Sequence, residues 1–415
     1  MIDMPTCPDR HLEQQGPEGD GSVPHRREIP PPSFTSMTTN RFQPFAVERF
    51  LSETEHGVRF NFSESGVHPM SYAELFSLAR IDTEALFATL VDYPQVNGFE
   101  SLRQNIASLY PGANTDNILV TVGATEANTL IAATLLERGD NVVRLRPTYE
   151  QLAGNAHNLG FEVRTVDLIE SRDWAIDVDG LESAVDGSTR IIHVVNPNNP
   201  TGRVLSEADR AALAGVAERH GAWIVADEVY IGTERDSDEP TASFWGTGER
   251  VIAVSSMSKA YGLPGLRLGW LAAPEALIPR LWRRHEYASI SATMLSMKLA
   301  EYALAPATRV KLTARARRLI RHGFETFVEA LHEHPGVFSV VPPQASAMSF
   351  VEFDLPVSSD ELSARLLAEE DVLVIPGSKF GLERHFRFSS ALPDEHLRAG
   401  LTRFNGLVGR VLAGR

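Results

Sequence analysis

Cysteine is almost missing from this sequence: Cys7 is the only one in 415 residues. No disulfide within the chain and no cysteine metal cluster can form, and no metal is expected. Long apolar runs are missing too, so no stretch reads as a membrane span or as a signal-peptide core. Basic residues are in deficit, with Lys+Arg 39 against Asp+Glu 54 and a formal net charge of −15. That deficit argues against a nucleic-acid binder. It fits plain solubility and mildly favours a cationic small-molecule ligand. The expectation is a cytoplasmic protein with no nucleic-acid and no membrane partner. At this length, with 43% hydrophobic residues, the chain can build two lobes around a large core.

What is present centres on residues 251–270. The apolar run Val251-Ile252-Ala253-Val254 predicts a buried strand. It ends in Ser255-Ser256-Met257-Ser258, then Lys259, then a Gly/Pro-rich loop and Arg267. Small residues around a lysine let a flat, phosphate-bearing molecule approach the backbone. A sheltered lysine amine can deprotonate and form a Schiff base with an aldehyde. Hydroxyls and an arginine nearby suit a phosphate. Taken singly, Lys259 also reads as a solvated surface lysine, and only its surroundings decide otherwise.

Residues 1–36 are polar and rich in proline and glycine, which predicts a disordered tail, with Met37 as an alternative start. A short helix is expected over 42–51. The segment Phe60-Asn61-Phe62-Ser63-Glu64-Ser65-Gly66-Val67-His68-Pro69 reads as a strand start meeting a small-residue turn. It is an ordinary loop or a backbone that reaches a ligand. A helix opens after Tyr93 and runs to about 109.

From 117 onward strands and helices alternate. Residues 117–122 predict a strand that turns through Gly123-Ala124-Thr125 into a helix over 126–138, a ready anion site. Strands follow over 142–145, 162–166, 191–195 and 223–226, with helices over 149–159 and 207–220 between them. The pattern predicts a mainly parallel sheet flanked by helices. Ligands then sit beyond the carboxyl ends of the strands. The polar strand endings Ala124 and Thr125, Asn199, Asp227 and Tyr230, and Ser256 with Lys259 should converge there. One long helix over 274–304 is expected to join two lobes, and the mixed strands and helices beyond it predict a smaller α+β lobe.

Four motifs in order, each at a strand end, carry a resemblance: Asn-Pro-Asn-Asn-Pro-Thr-Gly from Asn196, Asp-Glu-Val-Tyr from Asp227, Ser256-Met-Ser-Lys259 with Gly265-Leu-Arg267-Leu-Gly269, and Phe386-Arg387-Phe388-Ser389. The chain resembles the fold type I, pyridoxal-phosphate-dependent aminotransferases of class I/II over roughly 40–412. The resemblance implies an α/β fold: a larger domain over 84–305 and a smaller one from 37–83 and 306–415. It implies pyridoxal 5'-phosphate as cofactor, an amino acid as small-molecule substrate and a homodimer with shared active sites.

By the same resemblance Lys259 carries the cofactor and, once displaced, is the base at Cα. Asp227 pairs with the ring nitrogen. Asn199 and Tyr230 serve the phenolic oxygen, and Tyr149 stacks on the ring. Ala124, Thr125, Ser256 and Arg267 hold the phosphate, which Tyr93 of the neighbouring subunit also reaches. Arg387 takes the substrate α-carboxylate, helped by Gly66 and Asn199. Each has a blander reading: a helix cap for Asp227, a turn residue for Asn199, a surface ion pair for Arg267, a core aromatic for Tyr149.

The entry Ser63-Glu64-Ser65-Gly66-Val67-His68, followed by Tyr72-Ala73-Glu74-Leu75, departs from the common pattern of the class. It resembles capreomycidine synthases, the members that make the cyclic arginine derivative of peptide antibiotics. That resemblance implies 3-hydroxy-L-arginine as substrate and a lyase/cyclase reaction. His68 either helps the hydroxyl leave or is a satisfied loop histidine. The alternative is an aminotransferase passing an amino group to a 2-oxo acid.

Overall fold

This computed structural model describes residues 42–414; the tail expected over 1–36, Met37 and Cys7 lie outside them. Residues Arg41–Arg415 form one compact unit.

Strand β1 is Phe60–Asn61. There follow β2 (Ile118–Thr121), β3 (Asn141–Arg146), β4 (Glu162–Ile169), β5 (Ala175–Ile176), β6 (Thr189–Val195), β7 (Trp223–Asp227), β8 (Val251–Ser256) and β9 (Gly269–Ala272). Strands β2 to β9 make one eight-stranded sheet in the order β2-β9-β8-β7-β6-β3-β4-β5. The neighbours β4-β3-β6-β7-β8 are parallel, whereas β9 runs antiparallel to both β8 and β2. The edge strand β5 is also antiparallel to β4. The sheet is therefore mainly parallel, as expected, with two antiparallel strands, of which the sequence shows β9 only as a second apolar run.

Consecutive residues of these strands serve opposite faces. Val142, Ile191 and Val225 join a core built against the helices Gly123–Leu135 and Ile278–Ala288, while Val143, Ile192 and Ile224 join one built against Glu207–His220. This is why the strands read as continuous apolar runs rather than alternating ones. Truncating such a residue, for example Ile192→Ala, would cost about 2–5 kcal/mol.

A four-stranded antiparallel sheet comes from β10 (Phe338–Val340), β11 (Met348–Phe353), β13 (Ile375–Pro376) and β14 (His385–Ser389), with β12 (Val372–Leu373) pairing in parallel with β1. Phe388 stacks between Phe62 and Phe327, at centroid distances of 4.4 Å and 4.2 Å. The β1 pairing and this stack pull residues 60–68 onto β14, and so onto Arg387.

Two helices differ from expectation. The helix expected over 42–51 is Ala46–Thr54, displaced past Pro44, which disfavours helix in the residue before it. The single helix expected over 274–304 is two, Ile278–Ala288 and Met294–Leu304. The break falls in Ser289-Ile290-Ser291, where Ile290 has φ +66° and its N–H returns to His285 O. Beside the break Ser289 Oγ donates to Glu126 at 2.7 Å. The helices Tyr72–Ala79, Thr83–Phe87 and Val178–Ala184 were not read from the sequence at all.

Candidate active site

The strand ends meet at one edge of the large sheet. Val195 pairs with Asp227, Asp227 with Val254, and Ser256 with Gly269, which faces Thr121. A cavity of about 340 Å³ opens there, and Ala124, Thr125, Tyr149, Asp227, Tyr230, Ser256, Lys259 and Arg267 line it. Of the polar strand endings expected to converge, all but Asn199 line it, and Asn199 adjoins through the Tyr230 hydroxyl.

Lys259 follows β8 into this cavity. Its Nζ donates to Ser65 Oγ at 2.7 Å. Burial is the main reason its pKa is lowered; nearby Glu64 opposes the shift and Arg387 adds to it. A lysine in that state is more readily the free, nucleophilic amine. Gly66 lies directly over it: a Cβ there would stand 3.1 Å from Ser258 O and 3.5 Å from Lys259 Cα. The 63–68 segment therefore packs on the lysine itself.

At the start of the helix Gly123–Leu135 two glycines create an anion cradle. A Cβ on Gly269 would meet Ala124 N at 2.5 Å, and one on Gly123 would meet Arg267 Nη2 at 2.9 Å. Only hydrogen at both positions lets β9, the helix start and the guanidinium converge. The free N–H groups of that first turn, Arg267 and the Ser256 hydroxyl make a site for a phosphate. Glu126 braces the turn from behind. It accepts from Val122 N at 2.6 Å and pairs with His285 Nδ1 at 3.0 Å.

Asp227 is buried, and among the described residues its carboxylate has only two long contacts, with Asn128 Nδ2 at 3.4 Å and Val229 N at 3.3 Å. Burial lifts its carboxyl to about 6. A protonated ring nitrogen is the partner such a carboxylate lacks.

The Asn-Pro-Asn-Asn-Pro turn is folded by its own side chains: Asn198 Oδ1 accepts from Thr201 Oγ1 at 2.8 Å, and Asn196 Oδ1 from Leu205 N at 2.9 Å. That fixes Asn199, whose Nδ2 donates to the Tyr230 hydroxyl at 3.2 Å and whose Oδ1 accepts from Arg387 Nη1 at 2.9 Å. Burial raises the pKa of Tyr230, so its hydroxyl stays protonated.

Arg387 is 1% exposed. Its Nη2 donates to Ser63 O, and its Nε has no partner among the described residues. A buried guanidinium that bonds only a carbonyl and an amide still needs an anion.

Two expected site residues lie elsewhere in this chain. Tyr93 is 83% exposed, away from the cavity. His68 does not line the cavity; its N–H donates to Ala391 O at 2.9 Å and its carbonyl accepts from Arg315 at 2.9 Å. Sequence reasoning missed Glu48, Ser65 and Asn128, all of which line the cavity. Asn128 carried a usable signal: a polar amide one turn after Ala124, between the apolar residues Ala127 and Leu130 of the same helix.

A family model for class I and II aminotransferases matches residues 77–404. The chain belongs to that family. It is similar to a capreomycidine synthase of Streptomyces vinaceus, 30% identical over 372 residues that cover 89% of this chain and 95% of that one. Among solved structures it is similar to a PLP-dependent aminotransferase from Streptococcus suis, with TM-score 0.84 and 30% identity over 89% of this chain and 99% of the other. It is also similar to the PLP-dependent cyclase OrfR, with TM-score 0.81 and 29% identity over 91% and 99%.

The protein is thus a pyridoxal-phosphate-dependent enzyme. The residues present fit that cofactor: an amine for its aldehyde, a glycine-cleared cradle for its phosphate and an under-satisfied buried carboxylate for its ring nitrogen. Among the described residues no cluster of His, Cys, Asp and Glu could hold a metal ion, and no helix is long and apolar enough to cross a membrane.

Glu228, next to Asp227, is used differently. Its carboxylate accepts from Ser243 Oγ at 2.7 Å and Phe244 N at 2.6 Å, and burial pushes it up from 4.5 to about 7. A folded-state pKa above the unfolded one means that the folded form keeps its proton longer. The contribution of Glu228 to stability is therefore full below pH 4.5 and falls as pH rises towards 7. We expect urea unfolding of the holoenzyme to lose at most about 3 kcal/mol from this group over that window, and Glu228→Gln to remove that part of the slope. An unchanged slope in the variant would refute this.

Proposed function

We propose that the enzyme converts 3-hydroxy-L-arginine to the cyclic amino acid capreomycidine, by loss of the β-hydroxyl and addition of a guanidine nitrogen to Cβ, in peptide-antibiotic biosynthesis. The net change is loss of one water, and no amino group moves. The observation that carries this reading is Ser65 Oγ on Lys259 Nζ at 2.7 Å. The stretch that departs from the common class pattern and resembles capreomycidine synthases is the one packed on the lysine. Similarity over 95% of a capreomycidine synthase supports the reading.

When bound, pyridoxal phosphate supplies an electron-accepting ring that acidifies the amino acid's Cα hydrogen. Asp227 keeps the ring nitrogen protonated. Arg387, with Asn199 Oδ1 aligning it, clamps the α-carboxylate. Lys259, as a free amine, takes the Cα proton and later returns one to the same carbon. Ser65 orients that amine. Tyr230, protonated and held by Asn199, donates to the ring oxygen.

The competing reading is a class I/II aminotransferase, which must pass the amino group to a 2-oxo acid. Incubation of 3-hydroxy-L-arginine with the enzyme alone separates the two. The cyclase turns over many times with no 2-oxo acid added. Turnover that stops after one equivalent and resumes with 2-oxoglutarate or pyruvate defeats the cyclase reading.

We also take the active form to be a homodimer in which Tyr93 serves the other chain's phosphate. Its exposure beside Leu90 (80%) and Val91 (97%) supports a buried role in an assembly. Sedimentation showing a fully active monomer at micromolar concentration would rule it out.

A further inference from the structure

Three cations and three carboxylates are drawn to this site, and their roles leave two carboxylates over. Arg267 serves the phosphate cradle and Arg387 the α-carboxylate. Lys259 works as a neutral amine, and Asp227 pairs with the ring nitrogen. Glu48 and Glu64 remain, both lining the cavity and both open to solvent at its mouth. Among the described residues neither stands in an ion pair, although the field of both reaches Lys259 and Arg387.

Glu48 is also held in place. Its Oε1 accepts from the Tyr149 hydroxyl at 2.8 Å, its Oε2 makes no hydrogen bond within the described residues, and the Tyr149 ring packs on Phe45 at 4.8 Å. Two aromatic faces thus lead to a fixed carboxylate. Glu64 precedes Ser65, the residue that touches Lys259.

We propose that Glu48, with Glu64 beside it, selects substrates by the positive charge at the end of their side chain, a guanidinium or ammonium. This rests on the amino-acid orientation given above, with the α-carboxylate at Arg387. The methylenes lie along Phe45 and Tyr149, and the cation meets the two carboxylates. A neutral side chain leaves both carboxylates uncompensated, and an acidic one is repelled.

The test is calorimetric titration of the holoenzyme with L-arginine, L-2-aminohexanoate and L-glutamate. We expect the wild-type affinity to fall in that order. Because both carboxylates are exposed, Glu48→Gln should weaken L-arginine by about fivefold and L-2-aminohexanoate by less than about twofold. The double variant Glu48→Gln/Glu64→Gln should abolish the preference, and Glu48→Lys should favour L-glutamate. Equal weakening of all three ligands, or no change in any, overturns the proposal. L-Arginine has no β-hydroxyl to lose, so the titration reads recognition alone. Failure of cyclisation with this selectivity intact would sink the proposed reaction and leave the specificity inference standing.

Discussion

The Lys259→Ala enzyme is expected to lose turnover by at least about 10⁴-fold while keeping its fold. The loss is large because the proposed mechanism gives one side chain two jobs: its amine is to hold the cofactor and to move the Cα proton. No other lysine can stand in. The sequence has four, and the others are engaged far along the chain: Lys298 with Glu301, Lys311 with Leu78 O and Lys379 with Asp360. Steady-state rates, with circular dichroism to establish folding, check the loss. Borohydride reduction of the wild type followed by peptide mapping checks its cause. A label on any lysine other than Lys259, or a variant with more than a trace of activity, would break the assignment.

The second large effect is expected at Arg387. Changing it to alanine should lower kcat/KM by roughly 10²- to 10³-fold, mostly through KM. The guanidinium is buried and its Nε has no partner among the described residues, so in the proposed mechanism a substrate carboxylate would meet a desolvated, preorganised donor. Arg387→Lys should recover little, because one ammonium cannot replace a planar two-pronged contact. The α-amide of the substrate distinguishes this role from a structural one. It should react poorly with the wild type and about equally poorly with the variant. A wild type that accepts the amide as well as the acid would contradict the role.

Most of this site was legible because strand ends announce themselves. Apolar runs stop at Asp227 and at Ser256, and parallel pairing forces those ends to one edge. The order of motifs then gave Lys259, Asn199 and Arg267 their neighbours. What was not legible depends on contacts between distant segments. Glu48 sits on an N-terminal helix and gives no local sign that it will meet Tyr149, 101 residues on. Ser65 reaches Lys259 only because Phe60–Asn61 pairs with Val372–Leu373 and the Phe62–Phe388 stack holds the segment. The break at 289–293 was hidden because flanking apolar residues keep helical spacing on both sides, while the Ser289 hydroxyl beside the break bonds Glu126, far away in sequence. Tyr93 shows the same limit in another form: a single chain leaves it exposed, and its proposed partner lies in a second copy.

The fate of the Cα hydrogen tests the account most directly. The measurement is mass and proton spectra of the product formed from 3-hydroxy-L-arginine in heavy water, with enzyme and no 2-oxo acid. The account predicts a product lighter than its substrate by one water, cyclic at Cβ and carrying deuterium at Cα, because Lys259 returns a solvent-exchanged proton. It predicts this over many turnovers. A 2-oxo acid as the product, formed beyond one equivalent only when an amino acceptor is supplied, would contradict it.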